Sequence, residues 1–254
     1  MEEELPPPVT AVNAAGGSPL VLLCEHASNF IPARYAGLGL MERDLTRHIA
    51  WDPGAAPLAR LLSERLDAPL FLSGYSRLLI DCNRPPGAPT SIPVRSEATD
   101  IPGNAAITPE ERAAREAAYF LPFRDAVAAH LDARQAAGRP TLLLGVHSFT
   151  PVFLGEVRPW QAGILYAGAK DFAAALLDGL RAQPDLTVGD NEPYRIEPEH
   201  DHTVPVHGDA RSIPAALLEI RQDLIADDAG VAEWADRLTP MLARITRQAP
   251  ALGG

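Results

Sequence analysis

Four short apolar runs, each carrying or ending in polar residues able to do chemistry, set the pattern of this chain. Leu142, Leu143, Leu144, Val146 and Phe149 flank a single glycine, Gly145, and bring in His147. A nearly unbroken run behind Pro140 predicts a strand over 140–149 that is buried on both faces. Residues 19–24 repeat the design and lead to Glu25 and His26. Residues 76–82 read as a third such strand, ending in Asn83 and Arg84, and 215–221 as a fourth that carries Glu219 and Arg221. Ligands in open α/β sheets bind beyond the carboxyl ends of the strands. These polar residues are therefore expected along one edge.

Between the strands the spacing becomes helical. Leu58, Leu61, Leu62 and Leu66 predict a helix over 55–66, after a shorter one over 41–50 that Pro53-Gly54 ends. Further strands are expected at 69–73 and 161–167, with a short edge strand at 187–189. Thr108 as N-cap, Pro109 at the first position and Glu111 completing a capping box start a helix that runs to about 137, kinked at Pro122. Helices over 169–181 and from Asp227 or Asp228 to about 248 complete the set. This alternation predicts a three-layer α/β fold, a mostly parallel mixed sheet with helices on both faces. Residues 84–107 hold Pro85, Pro86, Pro89, Pro93 and Pro102 and read as a wall or lid, because structureless loops beyond ~12–15 residues are usually functional. Residues 190–214 are irregular as well. Residues 1–17, acidic and proline-rich, are expected as a loose arm ahead of a single domain over 18–254.

Composition narrows the function classes. With 254 residues, 46% of them hydrophobic, the chain can build one large core. Lys and Arg number 22 against 33 Asp and Glu, a net charge of −11, which argues against nucleic acid or an anionic membrane as partner. Cys24 and Cys82 sit inside apolar runs and are expected as buried thiols rather than a disulfide. No basic leader precedes an apolar stretch, and no run approaches the ~18 apolar residues of a membrane span. A cytoplasmic protein acting on a small molecule is the expectation, as monomer or homo-oligomer alike.

Two histidines at the ends of buried strands suggest a metal. Catalytic Zn²⁺ takes imidazole nitrogen and carboxylate oxygen from three protein ligands. His26 and His147 supply the imidazoles. The carboxylate is open among Glu25, Asp52 and Asp81. Glu25 follows the strand on the side opposite His26, whereas Asp52 precedes a Pro-Gly turn that can aim it inward, so Asp52 is preferred. Glu219 lies in an apolar strand, where a carboxylate is costly unless paired, ligating or catalytic. It is read as a general base, with an ion pair as the plainer reading. Arg221 shares its side of the strand. Arginine forks bind carboxylates, so Arg84, with Asn83 and Arg221, points to a substrate with a free carboxylate. His207, beside Gly208, is a candidate hydrogen-bond donor. His48 is expected near the same cleft, His200 and His202 give a weak signal, and His130 reads as structural.

Seven ordered blocks then carry a resemblance. They are residues 24–32 (Cys-Glu-His-Ala-Ser-Asn-Phe-Ile-Pro), 48–55, 75–85, 147–151, 191–194, His207-Gly208 and 218–224 (Leu-Glu-Ile-Arg-Gln-Asp-Leu). In these the chain resembles the N-formylglutamate amidohydrolase family, over roughly residues 19–246, and through it the zinc-carboxypeptidase-like hydrolases. The resemblance implies zinc on His26 and His147, Glu219 as general base, and Asn83-Arg84 holding a substrate carboxylate. It adds Asn29 and Tyr194 as substrate contacts. Zinc carboxypeptidases carry a carboxylate ligand where this chain has Asn29, and the resemblance implies Asp52, of the Trp-Asp-Pro-Gly block, as its replacement. Glu-His-Ala-Ser also stands where better-known formylglutamate enzymes have Pro-His-Ser-Gly. The implied reaction is hydrolysis of N-formyl-L-glutamate to formate and L-glutamate. A deacylase for another N-acyl amino acid and a non-catalytic binder of glutamate-like anions are the alternatives.

Overall fold

A computed structural model describes residues 3–252. Seven strands form one sheet: β1 (Val9–Val12), β2 (Leu20–Cys24), β3 (Leu70–Ser73), β4 (Leu142–Phe149), β5 (Ala162–Leu165), β6 (Val188–Asp190) and β7 (Ala215–Arg221). Their spatial order is β1-β3-β2-β4-β7-β5-β6. The central pairs β3-β2, β2-β4 and β4-β7 are parallel, while β1 and β5 pair antiparallel to β3 and β7. Four helices cover it: α1 (Ala55–Leu66), α2 (three consecutive pieces, Pro109–Arg115, Glu116–Phe120 and Leu121–Ala136), α3 (Lys170–Arg181) and α4 (Asp228–Thr246).

The period of two along each strand separates the layers. Leu20, Leu22, Leu142, Leu144 and Leu218 pack against α1, α3 and α4. Val21, Leu23, Leu143 and Leu217 pack against Phe123, Val127 and Leu131 of α2. The three-layer, mostly parallel sheet is thus present as the apolar pattern requires. The Thr108 hydroxyl accepts from the Glu111 amide, as expected of its cap. The wide π-turn Glu116–Phe120 ends two residues before Pro122, whose missing N–H breaks the α-helical ladder there.

Three expectations change. Residues 76–82 are not a strand: the chain turns, with the Leu79 amide on the Ser76 carbonyl at 3.0 Å. Leu78, Leu79 and Ile80 are buried, which their apolarity dictates, but in a separate cluster with Tyr119 and Phe120. Side chains replace a neighbouring strand: Asn104 donates to the Leu78 carbonyl (2.8 Å) and the buried Arg115 to that of Leu79 (3.2 Å). The helix expected over 41–50 shrinks to one turn, Glu42–Leu45. In the segment expected as a loose arm, Val9–Val12 is an edge strand on β3, and the Tyr75 hydroxyl donates to the Pro6 carbonyl just before it. The tail of that expectation, residues 1–2, lies outside the described residues.

Residues 84–107 form a wall. Arg95–Ser96 and Thr99–Asp100 make a small hairpin, and a second, Val152–Phe153 with Glu156–Val157, follows β4.

Candidate active site

The end of β2 delivers Glu25 and His26. The His26 carbonyl accepts from the Asp52 amide at 3.0 Å, docking the Trp51–Gly54 turn onto the strand. Gly54 has φ +79°, and a Cβ there would lie 2.1 Å from the Ile225 carbonyl, so only glycine lets this turn pass into α1. The turn aims Asp52 inward. Its Oδ2 lies 3.2 Å from His26 Nδ1 and 2.9 Å from His147 Nδ1, and the Ser148 amide donates to the same oxygen.

The outer nitrogens are held too. His26 Nε2 is 2.8 Å from Asp81 Oδ1, and His147 Nε2 is 3.1 Å from Glu25 Oε2, an ion-pair distance not aligned as a hydrogen bond. Arg77 closes the ring, with Nη2 2.7 Å from Asp81 Oδ2 and Nη1 3.5 Å from Asp52 Oδ1. Burial opposes ionisation of Asp52, yet His26 and His147 hold its carboxyl well below the usual range. Burial likewise works against a charged His147, and Glu25 and Asp52 overcome it, raising the imidazole well above its ordinary value.

This donor set fits a divalent cation. His26, Asp52 and His147 offer ligand atoms all within 4.8 Å of one another, and all three are buried. Three carboxylates around two imidazoles call for positive charge at the centre. The outer carboxylates sit where metal-binding histidines usually find partners that fix tautomer and ring. Of Glu25, Asp52 and Asp81, it is Asp52 that lies between the two inner nitrogens.

Glu219 stands opposite His147 in the parallel register of β7 and β4. It is buried, and its Oε2 has no partner. Burial first, and Asp52 next among the raising influences, push its carboxyl up to about 7 against the pull of His147, His26 and Arg77. These groups line one cavity of about 490 Å³, together with Asn83, Arg84 and Tyr194.

A family model for N-formylglutamate amidohydrolase matches residues 18–226. The chain belongs to that family. As an N-formylglutamate amidohydrolase family member it is similar to a gene product of Agrobacterium tumefaciens of known structure, at 42% identity and TM-score 0.88 over 96% of this chain and 94% of that one. It also shares its fold with the N-formylglutamate amidohydrolase of Ralstonia eutropha, at 18% identity and TM-score 0.68 over 96% and 98% of the two chains. No curated protein matches it.

Not every residue singled out in this amidohydrolase reaches the cavity. Arg84 lines it, with Nη1 on the Asp201 carboxylate and the His200 carbonyl (3.0 Å). Asn83 lines it while its Oδ1 accepts from the Thr203 amide. Three others do not line it. Arg221 closes on Asp223 at 2.8 Å beyond the cavity wall, because β7 ends there and a local acid takes the fork. His207 packs edge-on against His202 in the turn Thr203–Gly208, off the cavity wall, and burial pushes it down to about 3, hence neutral. Asn29 donates to the Leu45 carbonyl and ties a turn together. His48 and His200 do line the cavity, each beside an acid, Glu97 and Glu197. Arg77 escaped the sequence reading altogether. Its signal was a cation four residues before Asp81 within an apolar run.

Gly145, the one interruption of the β4 run, has a steric reason. A Cβ there would come within 2.5 Å of the Leu217 side chain and 3.2 Å of His147 Nε2. Gly145→Ala is expected to destabilise by roughly 1–3 kcal/mol as both side chains shift, read as a lower denaturant midpoint.

Proposed function

We propose that this amidohydrolase is a metal-dependent deformylase that cleaves the amide of an N-formyl amino acid, N-formyl-L-glutamate foremost. The observation that carries this reading is the Asp52 carboxylate set between two imidazole Nδ1 atoms, with the unpartnered Glu219 on the adjoining strand. His26, Asp52 and His147 would hold the ion, Zn²⁺ in the first place. When bound, the ion supplies Lewis acidity, polarising a carbonyl and acidifying water. Asp81 and Glu25 keep the two imidazoles in the ligating tautomer.

Glu219 takes a proton from water as the water oxygen bonds to the formyl carbon. It passes that proton to the amide nitrogen as the C–N bond breaks, so formate and a free amine leave. Arg84 has Nη1 committed to Asp201, and the rest of its fork receives the α-carboxylate beside Asn83. The walls at 84–107 and 152–157 limit water around the reacting amide. The partner is thus a small carboxylate, with neither nucleic acid nor membrane required. No helix among the described residues is long and apolar enough to cross a membrane, and the buried free thiols Cys24 and Cys82 suit a reducing cytoplasm.

Purified protein is expected to release formate from N-formyl-L-glutamate, to stop after exhaustive chelation and to resume with added Zn²⁺. Chelated protein that hydrolyses at full rate would exclude the mechanism. A panel of other N-acyl amino acids assigns the acyl group and side chain.

A further inference from the structure

Arg158 is only 8% exposed and, among the described residues, meets no carboxylate. A buried cation without an anion is costly unless something replaces its hydration. Aromatic faces do so here. Its guanidinium carbon lies 4.6 Å from the ring centroids of Phe153 and Tyr194 and 5.9 Å from that of Phe149. Its backbone amide donates to the Pro151 carbonyl at 2.9 Å, fixing it at the base of the hairpin after β4. One polar contact gives this arrangement direction: Nη1 donates to the Tyr194 hydroxyl at 2.8 Å.

A phenol oxygen that accepts from a guanidinium still has its own O–H to give. No acceptor for that hydrogen is present among the described residues, and Tyr194 lines the cavity. We infer that Arg158 is a positioning residue that fixes the Tyr194 hydroxyl as a donor to the substrate's amide oxygen as that oxygen gains charge. The inference rests on the amide hydrolysis proposed above. Burial and then Glu219 raise the Tyr194 phenol, against Arg158 and Arg77, so it keeps its proton at neutral pH. Tyr194 lines the same cavity as Glu219 and Arg77. Donors aimed at developing negative charge act mainly on kcat.

A kinetic cycle with N-formyl-L-glutamate tests this. Tyr194→Phe is expected to lower kcat about 100-fold, in the range for loss of one such donor, with KM within about threefold. Arg158→Met is expected to lower kcat roughly tenfold, and to add nothing once Tyr194 is already Phe, because groups acting through one contact are not additive. Unchanged kcat in Arg158→Met, or losses that multiply in the double variant, overturns the inference. If Arg158→Met does not fold, Arg158→Lys carries the test: it keeps a charge and a donor, so a partial loss is expected only where Tyr194 is present.

A second readout needs no substrate. The alkaline absorbance titration of Tyr194, taken as wild type minus Tyr194→Phe, is expected to move upward when Arg158 is replaced. A titration that stays in place overturns the pairing. A titration that moves in a protein that turns over no N-formyl amino acid retains the pairing and removes the deformylase reading instead.

Discussion

Glu219→Gln is expected to lower kcat by about 100- to 10,000-fold, the range for removal of a positioned general base, while metal content stays at the wild-type level. The residue makes no hydrogen bond or ion pair with the cluster that would hold the ion, so metal analysis separates its role from ligation. Gln keeps the size and polarity of the side chain and removes only its ability to take a proton. The pH dependence has a definite sign. The base must be ionised, so wild-type kcat/KM rises with pH through the Glu219 pKa. Burial pushes that group up to about 7, and a bound cation lowers it, so the acidic limb is expected at or below about 7. Stability moves the other way. A carboxyl whose folded pKa is raised contributes stability below its unfolded value and loses it as pH rises through the folded one. Metal-free Glu219→Gln should therefore be at least as stable as wild type, with an advantage that grows as pH rises from the ordinary glutamate range to about 7 and levels off above it. A variant that is inactive and also less stable at every pH would point to an ion-pair role instead. Formate-release kinetics and denaturant melts across pH 5–9 make the distinction.

The parts of the site legible in the sequence are those that sheet physics places. A buried parallel strand reads as a continuous apolar run, and its carboxyl end is where the cleft opens. His26 and His147 could be brought together on that ground alone, and Glu219 stood out as a charge inside such a run. Asp52 followed from a Pro-Gly turn. The rest of the site depends on where side chains find partners. The run 76–82 has the composition of a strand, and its burial was legible. Its path was not, because Asn104 and Arg115, from distant segments, satisfy its backbone. With the path went Arg77 and Asp81, which meet at four residues' separation in a turn but would lie on one face of a strand, too far apart to pair. Arg221 shows the converse error. The period of two puts it on the side of Glu219, and a neighbouring Asp223 captures it all the same. Val9–Val12 was masked by the prolines before it, although its apolar ends suit an edge strand.

Asp52→Asn should strip the protein of metal. Asp52 Oδ2 is the negative charge shared by both inner nitrogens, and an amide at that point offers a neutral donor-acceptor in its place. The expected metal-to-protein ratio falls from about one to below about one tenth, since catalytic zinc keeps only three protein ligands. Activity should fall to that of chelated wild type. Glu25→Gln is the informative companion. Glu25 meets His147 at its outer Nε2, so it is expected to act through the ring, weakening metal binding about 10- to 100-fold without abolishing it. The reverse ranking, with Glu25→Gln empty and Asp52→Asn loaded, would move the carboxylate ligand to Glu25. Metal-free protein offers an independent check. Asp52 is held low, so its contribution to stability is present above the ordinary carboxyl range and is lost as pH falls. His147 is held high, so its contribution is present below the ordinary imidazole range and is lost as pH rises through the raised value. Between those limits the buried pair is charged, and removing one partner should cost roughly 3–5 kcal/mol. Above the raised imidazole pKa that cost should shrink. Protons and metal compete for the same imidazoles, so wild-type metal affinity should already weaken as pH drops through that raised value, above where an ordinary histidine would titrate. Calorimetric metal titrations from pH 6 to 9, with the proton release followed in two buffers, read both effects.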